Sequence, residues 1–148
     1  SRGLETSWAC DYRKKKTVAG FFVTTSYVLS TVQKTHALNS GSVGMQLIYT
    51  PRYQVGGHVY AGYARSRVYL LCQYAGYRFT TSDNSSWLEP YTLLSLRATQ
   101  ELNGAGLSFS FFAACNNLLD TNYLIIAGRP MPRRNYEIGI TIHFNKNQ

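Results

Sequence analysis

Four aromatic residues in polar, turn-rich surroundings are the best candidates for ligand chemistry: Tyr49, Trp87, Tyr91 and Tyr123. Flat rings of this kind stack on a large planar ligand and supply contact area. Arg129, one of three arginines between Asn117 and Arg134, joins them as a substrate-loop candidate. Each aromatic alone also suits loop packing or a membrane interface. Other chemistries have less to stand on. His36, His58 and His143 have no metal-ligand spacing, although His36 could meet a haem from a loop. Cys10, Cys72 and Cys115 are an odd number with no CxxC pair, and read as small apolar residues. No metal site, cofactor site or catalytic constellation emerges, so no enzyme is expected.

The elements that must position these residues are strands. The chain has 148 residues and a net charge of +8. Its basic residues are scattered or sit in short clusters such as Arg13-Lys14-Lys15-Lys16, which reads as a solvated turn and not as a nucleic-acid face. Apolar residues alternate with polar or small ones in seven segments. The last is the clearest: Tyr136, Ile138, Ile140, Ile142 and Phe144 against Glu137, Gly139, Thr141 and His143. Earlier segments set Phe21 and Val23 against Gly20 and Thr24, and Leu94 and Leu96 against Ser95 and Arg97. This is period 2 throughout, with no convincing helix. "RVYLLCQYAGYRF" is apolar on both faces, and only Gln73 hints at a polar side.

Short and long connections alternate strictly. The short ones are 11–16, 64–67 and 101–106; the long ones are 30–45, 80–90 and 117–134. A soluble sandwich has no reason for this, whereas a transmembrane antiparallel β-barrel has short periplasmic turns and long extracellular loops. The fold class is therefore read as all-β. Phe21, Val23, Val55, Val59, Leu94, Leu96, Phe109, Ile138 and Ile140 are expected to meet outer-membrane lipid, with the polar, small face lining the lumen. The tip of the loop over 84–88 reads as exposed and weakly bonded.

Glu137, Gly139, Ile142 and Phe144 resemble the C-terminal β-signal of bacterial outer-membrane proteins, although "NKNQ" follows where the aromatic is usually last. "YTPRYQ", "YRFTTSDNSSWLEPYTLLSL" and "NNLLDTNYLIIAGRPMPRRNYEIGITIHF" resemble the C-terminal third of TonB-dependent outer-membrane receptors, most of all the vitamin B12 receptor-like branch. Arg133 stands where that family usually has Gly.

The resemblance implies a 22-stranded barrel of which residues 1–148 form the last seven strands. Seven strands also mean an odd count, whereas bacterial single-chain barrels have an even number. The expectation is a C-terminal piece of a larger barrel, divided at an extracellular loop. Its implied partners are the upstream strands and an N-terminal plug of the same receptor, TonB acting through that plug, and a surface lipoprotein. The implied cargo is a scarce large nutrient, cobalamin or another corrinoid first, then a ferric siderophore or haem. A lumen-facing Arg97 would pair with a plug carboxylate. Two alternatives remain open: a small self-contained outer-membrane barrel, with an eighth strand hidden in 40–49, and a soluble lipid-binding barrel with the apolar face inward.

Overall fold

The seven alternating segments become seven long antiparallel strands in one sheet. The structure, a computed structural model, describes residues 1–34, 42–104 and 107–144. The long strands are β1 (Arg2–Lys14), β2 (Thr17–Leu29), β3 (Tyr53–Tyr63), β4 (Ser66–Ala75), β7 (Tyr91–Asn103), β8 (Leu107–Asn116) and β11 (Asn135–Phe144). They are neighbours in chain order, an up-and-down meander from β1 to β11. Two ribbons rise from the long connections. β5 (Arg78–Phe79) pairs with β6 (Trp87–Leu88), and β9 (Leu124–Ile126) pairs with β10 (Arg129–Pro130). No helix occurs among the described residues.

The register carries one face across the whole sheet. Directly opposed residues share a face, so the row Cys10, Phe21, Val59, Leu70, Leu96, Cys115, Tyr136 runs unbroken from β1 to β11. All nine residues expected to meet lipid lie on this face. Its polar pairs bond to each other: Ser66 with Gln100 near the short turns, and Thr6 with Thr25, 2.8 Å apart, between β1 and β2. Aromatics stand at both ends of the apolar band: Tyr12, Tyr63 and Phe144 near the turns, Tyr27, Tyr53 and Tyr136 near the loops. Tyr53 to Tyr63 spans about 33 Å of strand, or roughly 25 Å at a barrel tilt of about 40°. That is the height of an outer-membrane apolar band.

The opposite face is less uniformly small than the alternation suggests. The row Asp11, Gly20, Tyr60, Tyr69, Arg97, Ala114, Glu137 crosses it. The Tyr60 hydroxyl donates to Asp11 Oδ1 at 2.6 Å. It reaches there by crossing Gly20, where a Cβ would lie 2.7 Å from Tyr60 Cε1. Phe22, His58, Tyr60 and Tyr69 form a cluster with ring centroids 5.6–6.3 Å apart. This explains the strand that reads apolar on both sides: Tyr69 and Leu71 serve the inner face while Leu70 and Cys72 serve the outer one.

There is almost no enclosed core. Ala75 and Leu88 are the buried apolar side chains among the described residues. Ile138 is 87% exposed and Ile140 63%. A soluble domain does not leave such a band in water, and a soluble lipid-binding barrel would enclose it. The eighth strand considered within 40–49 is not found among the described residues there, which hold turns and an isolated bridge, Thr31 to Gln46. The apolar stretch through Phe79 is not one strand either. The chain leaves the sheet after Ala75, Gly76 donates to the Tyr53 carbonyl at 2.9 Å, and Arg78–Phe79 enters its own ribbon.

Candidate functional site

The two ribbons stand side by side above the loop end of the sheet and enclose a cleft of ≈ 380 Å³. Trp87, Leu88, Pro90 and Tyr91 line it from β6 and the start of β7. Asn122, Tyr123, Leu124 and Pro130 line it from the other ribbon. Local sequence explains both walls. Two prolines fix backbone where no ladder donor is needed, and Gly128, at φ 73°, closes the tight link between β9 and β10.

Arg78, Tyr91 and Tyr123 form a stack. The Tyr91 and Tyr123 rings lie 4.6 Å apart between centroids. The Arg78 guanidinium carbon lies 4.6 Å from the Tyr91 centroid. Arg78 is 3% exposed and donates through Nη2 to the Glu89 carbonyl at 2.7 Å. Its Nε has no hydrogen-bond partner. Burial, and then the neighbouring Tyr91, push the Tyr123 hydroxyl above its ordinary pKa, so it stays a neutral phenol. The Trp87 indole donates to Glu89 Oε1 at 3.2 Å, which aims the ring edge.

The loops are pinned from below. Asn84 Oδ1 accepts from the Gln46 amide at 2.8 Å while Asn84 Nδ2 donates to the Gln46 carbonyl at 2.9 Å. Gln46, 1% exposed, sends its own side chain to Ser30 and Thr50. The segment 84–88 is therefore not the weakly bonded tip expected from sequence: Asn84 ties two loops, and Trp87–Leu88 pairs with Arg78–Phe79. In the last loop, Asn117 binds Thr121 at both amide atoms, at 2.8 Å each. Asp120 receives Arg133 at 2.7 and 3.0 Å and the Arg134 amide at 3.0 Å. Those bonds, Arg133 first, hold the Asp120 carboxyl down at about 2. Arg133 thus supplies a two-pronged partner for Asp120.

Of the sequence candidates, Trp87, Tyr91 and Tyr123 meet in the cleft. Arg129 is exposed on β10 beside Pro130 and does not line it. Tyr49 stays outside, its amide bonded to the Phe79 carbonyl at 2.7 Å. Arg78 was missed as a site residue; an Arg with no carboxylate nearby, set among aromatics, was the available signal. Glu137 and Gly139 of the closing strand lie on the polar face, Ile142 and Phe144 on the apolar one. Glu137 accepts from Asn116 Nδ2 at 3.1 Å, and the Phe112 ring covers Gly139. Arg97 lies 4.3 Å from the centroid of that ring. His36 lies outside the described residues, His58 belongs to the inner aromatic cluster, and no metal-holding cluster exists among the described residues.

The residues form an unbroken antiparallel meander with one continuous apolar face, aromatics at both ends of it and a loop cleft at one end. No family model and no curated protein matches the chain. Among solved structures it is similar to BauA, the ferric preacinetobactin receptor from Acinetobacter baumannii, with a TM-score of 0.64 at 14% identity. The match covers 95% of this chain and 26% of BauA, so the chain spans about a quarter of that receptor's length. The fold is thus an all-β antiparallel sheet matching part of a TonB-dependent receptor barrel.

Proposed function

We propose that residues 1–148 form the last seven strands of the barrel of a TonB-dependent active transporter in a bacterial outer membrane. The carrying observation is the continuous apolar face, kept in register over seven strands between two aromatic girdles. The sheet has two unpaired edges, β1 and β11. Backbone groups left unpaired in lipid cost several kcal/mol each, so upstream strands of a 22-stranded barrel close the wall. A plug fills the lumen and couples to TonB, and the inner row of Tyr60, Tyr69 and Arg97 faces it. A surface lipoprotein is a further partner of the loop end.

The cargo is a scarce large nutrient held between the ribbons by Trp87, Tyr91 and Tyr123, with Arg129 at the rim. The sequence resemblance points to cobalamin or another corrinoid. The likeness to BauA points to a ferric siderophore, and haem is the third probe. The test is equilibrium binding of these three ligand classes to the assembled receptor. Trp87→Ala and Tyr123→Ala should each weaken the ligand that binds by tenfold or more, about 1.4 kcal/mol, as buried aromatic anchors do. Binding of none of the three, or binding indifferent to both changes, would count against this site.

A further inference from the structure

A second cleft lies at the opposite end of the molecule, on the apolar face. β1 turns into β2 through Lys15 and Lys16 alone, so Lys14 stands opposite Thr17, and Thr17 opposite Tyr63. Tyr12, two residues before Lys14, points to the same side. Tyr12 and Tyr63 thus stand two strands apart, about 10 Å, with Thr17 between them. They wall a cleft of ≈ 510 Å³ whose rim is Lys14, Lys15 and Lys16. Both tyrosines are more than half exposed. Among the described residues the one ion pair joins Arg133 to Asp120 at the far end, so these three lysines have no carboxylate within 4 Å.

We propose that this cleft binds the phosphate headgroup of an anionic phospholipid in the periplasmic leaflet. The proposal rests on the barrel-wall reading above. Three ammonium groups offer a phosphodiester mobile point charges and donors, and each Lys beside an anionic surface raises affinity several-fold. The tyrosines supply the amphipathic walls found at headgroup depth. Ala19 and Ala61, opposite each other one row toward the membrane centre, leave low relief where an acyl chain can lie. A periplasmic protein would need no such outlet. Because the cleft lies on the apolar face, where Ala61 stands opposite Val68 and Val59 follows it along β3, its occupant has an anionic head and an apolar body.

The assembled barrel in neutral detergent is tested by native mass spectrometry against phosphatidylglycerol, phosphatidylcholine with the same chains, and inorganic phosphate. Phosphatidylglycerol should be retained at least tenfold more than phosphatidylcholine. The triple change Lys14→Gln, Lys15→Gln, Lys16→Gln should abolish that preference, whereas Arg52→Gln, at the loop end, should keep it. Equal retention of both lipids, or a preference that survives the triple change, overturns the proposal. Displacement of the lipid by millimolar inorganic phosphate overturns the lipid assignment in favour of a plain anion site. If the triple variant does not assemble, Lys15→Glu alone is read in its place, with the same loss expected. A photocrosslinker replacing Lys16 in cells should label lipid; labelling of protein alone overturns the proposal. A barrel that never partitions into detergent sinks the barrel-wall reading itself, a result distinct from a barrel that inserts without headgroup preference.

Discussion

Arg78 shows how one side chain sets the quality of the upper cleft. It is buried without a carboxylate, and is held by one carbonyl and the face of Tyr91. A desolvated cation over an aromatic ring contributes up to about 2 kcal/mol. Arg78→Met keeps most of the volume and removes that contact and the hydrogen bond to Glu89. The expected outcome is a loosened Tyr91–Tyr123 pair, seen as reduced near-ultraviolet circular dichroism, and ligand affinity down by about tenfold, with barrel heat stability unchanged. An unaltered aromatic signal would contradict the stack. Asp120 gives a second prediction at this scale. Its carboxyl titrates at about 2 in the fold against an ordinary 3.8. A depressed carboxyl contributes fully above its unfolded pKa and loses that contribution as pH falls through its folded one. The 117–134 loop should therefore resist pepsin at pH 4 and become cleavable as pH falls toward 2. Asp120→Asn should expose the Arg133 and Arg134 bonds to trypsin at neutral pH. Equal trypsin resistance of both proteins would show that the ion pair does not hold the loop. Three of the site aromatics were legible because large rings in polar surroundings stand out. Arg78, Gln46 and Asn84 were not, since their roles depend on contacts up to 38 residues away in the chain.

At the scale of elements, alternation fixed which side chains share a face, and register then had no freedom to move them. A slip by one residue would reverse every strand's faces. That is why the seven strands, and the single face shared by the nine residues expected to meet lipid, could be read from sequence. The ribbons could not: Arg78–Phe79 and Trp87–Leu88 are two residues each, too short for any period to show. The inner aromatic cluster was hidden for another reason. Tyr60 needs Gly20 beneath it, and Tyr69 packs against Tyr60, cross-strand relations that alternation does not encode. The closing strand offers a direct test of the faces. Ile140 and Thr141 are both exposed, so in water either position would accept arginine with little cost. In a bilayer, Ile140→Arg should cost about 2–4 kcal/mol and Thr141→Arg much less. Heat-modifiable migration of the assembled barrel should therefore be lost with the first change and kept with the second. Equal tolerance would argue that no lipid meets this face. Gly139→Leu should also impair assembly, by displacing Phe112 and with it the ring under Arg97. Overpacking of this kind costs about 1–3 kcal/mol.

For the whole molecule, orientation decides which cleft meets the outside. The cleft of Trp87, Tyr91 and Tyr123 sits at the end where the connections are long, and the lysine turn sits at the end where they are short. Barrel insertion leaves the short turns in the periplasm, so the first cleft should face the medium and the second the periplasmic leaflet. Ser85 and Ser66 mark the two ends. Ser85 is exposed on the loop that joins β5 to β6, and Ser66 opens β4 at the rim of the apolar face, bonded to Gln100. The native thiols Cys10, Cys72 and Cys115 all lie on the apolar face, and each is replaced by alanine for this test. In intact cells a membrane-impermeant maleimide should then label Ser85→Cys rapidly. Ser66→Cys should stay unlabelled until the outer membrane is opened, because its end of the strand is on the inner side and partly in lipid. Labelling of Ser66→Cys alone would turn the barrel over. The aromatic cleft would then face the periplasm, where no nutrient arrives from the medium, and the lysine cleft would face the outer leaflet. Both proposals would fail together, while the fold and its continuous apolar face would stand.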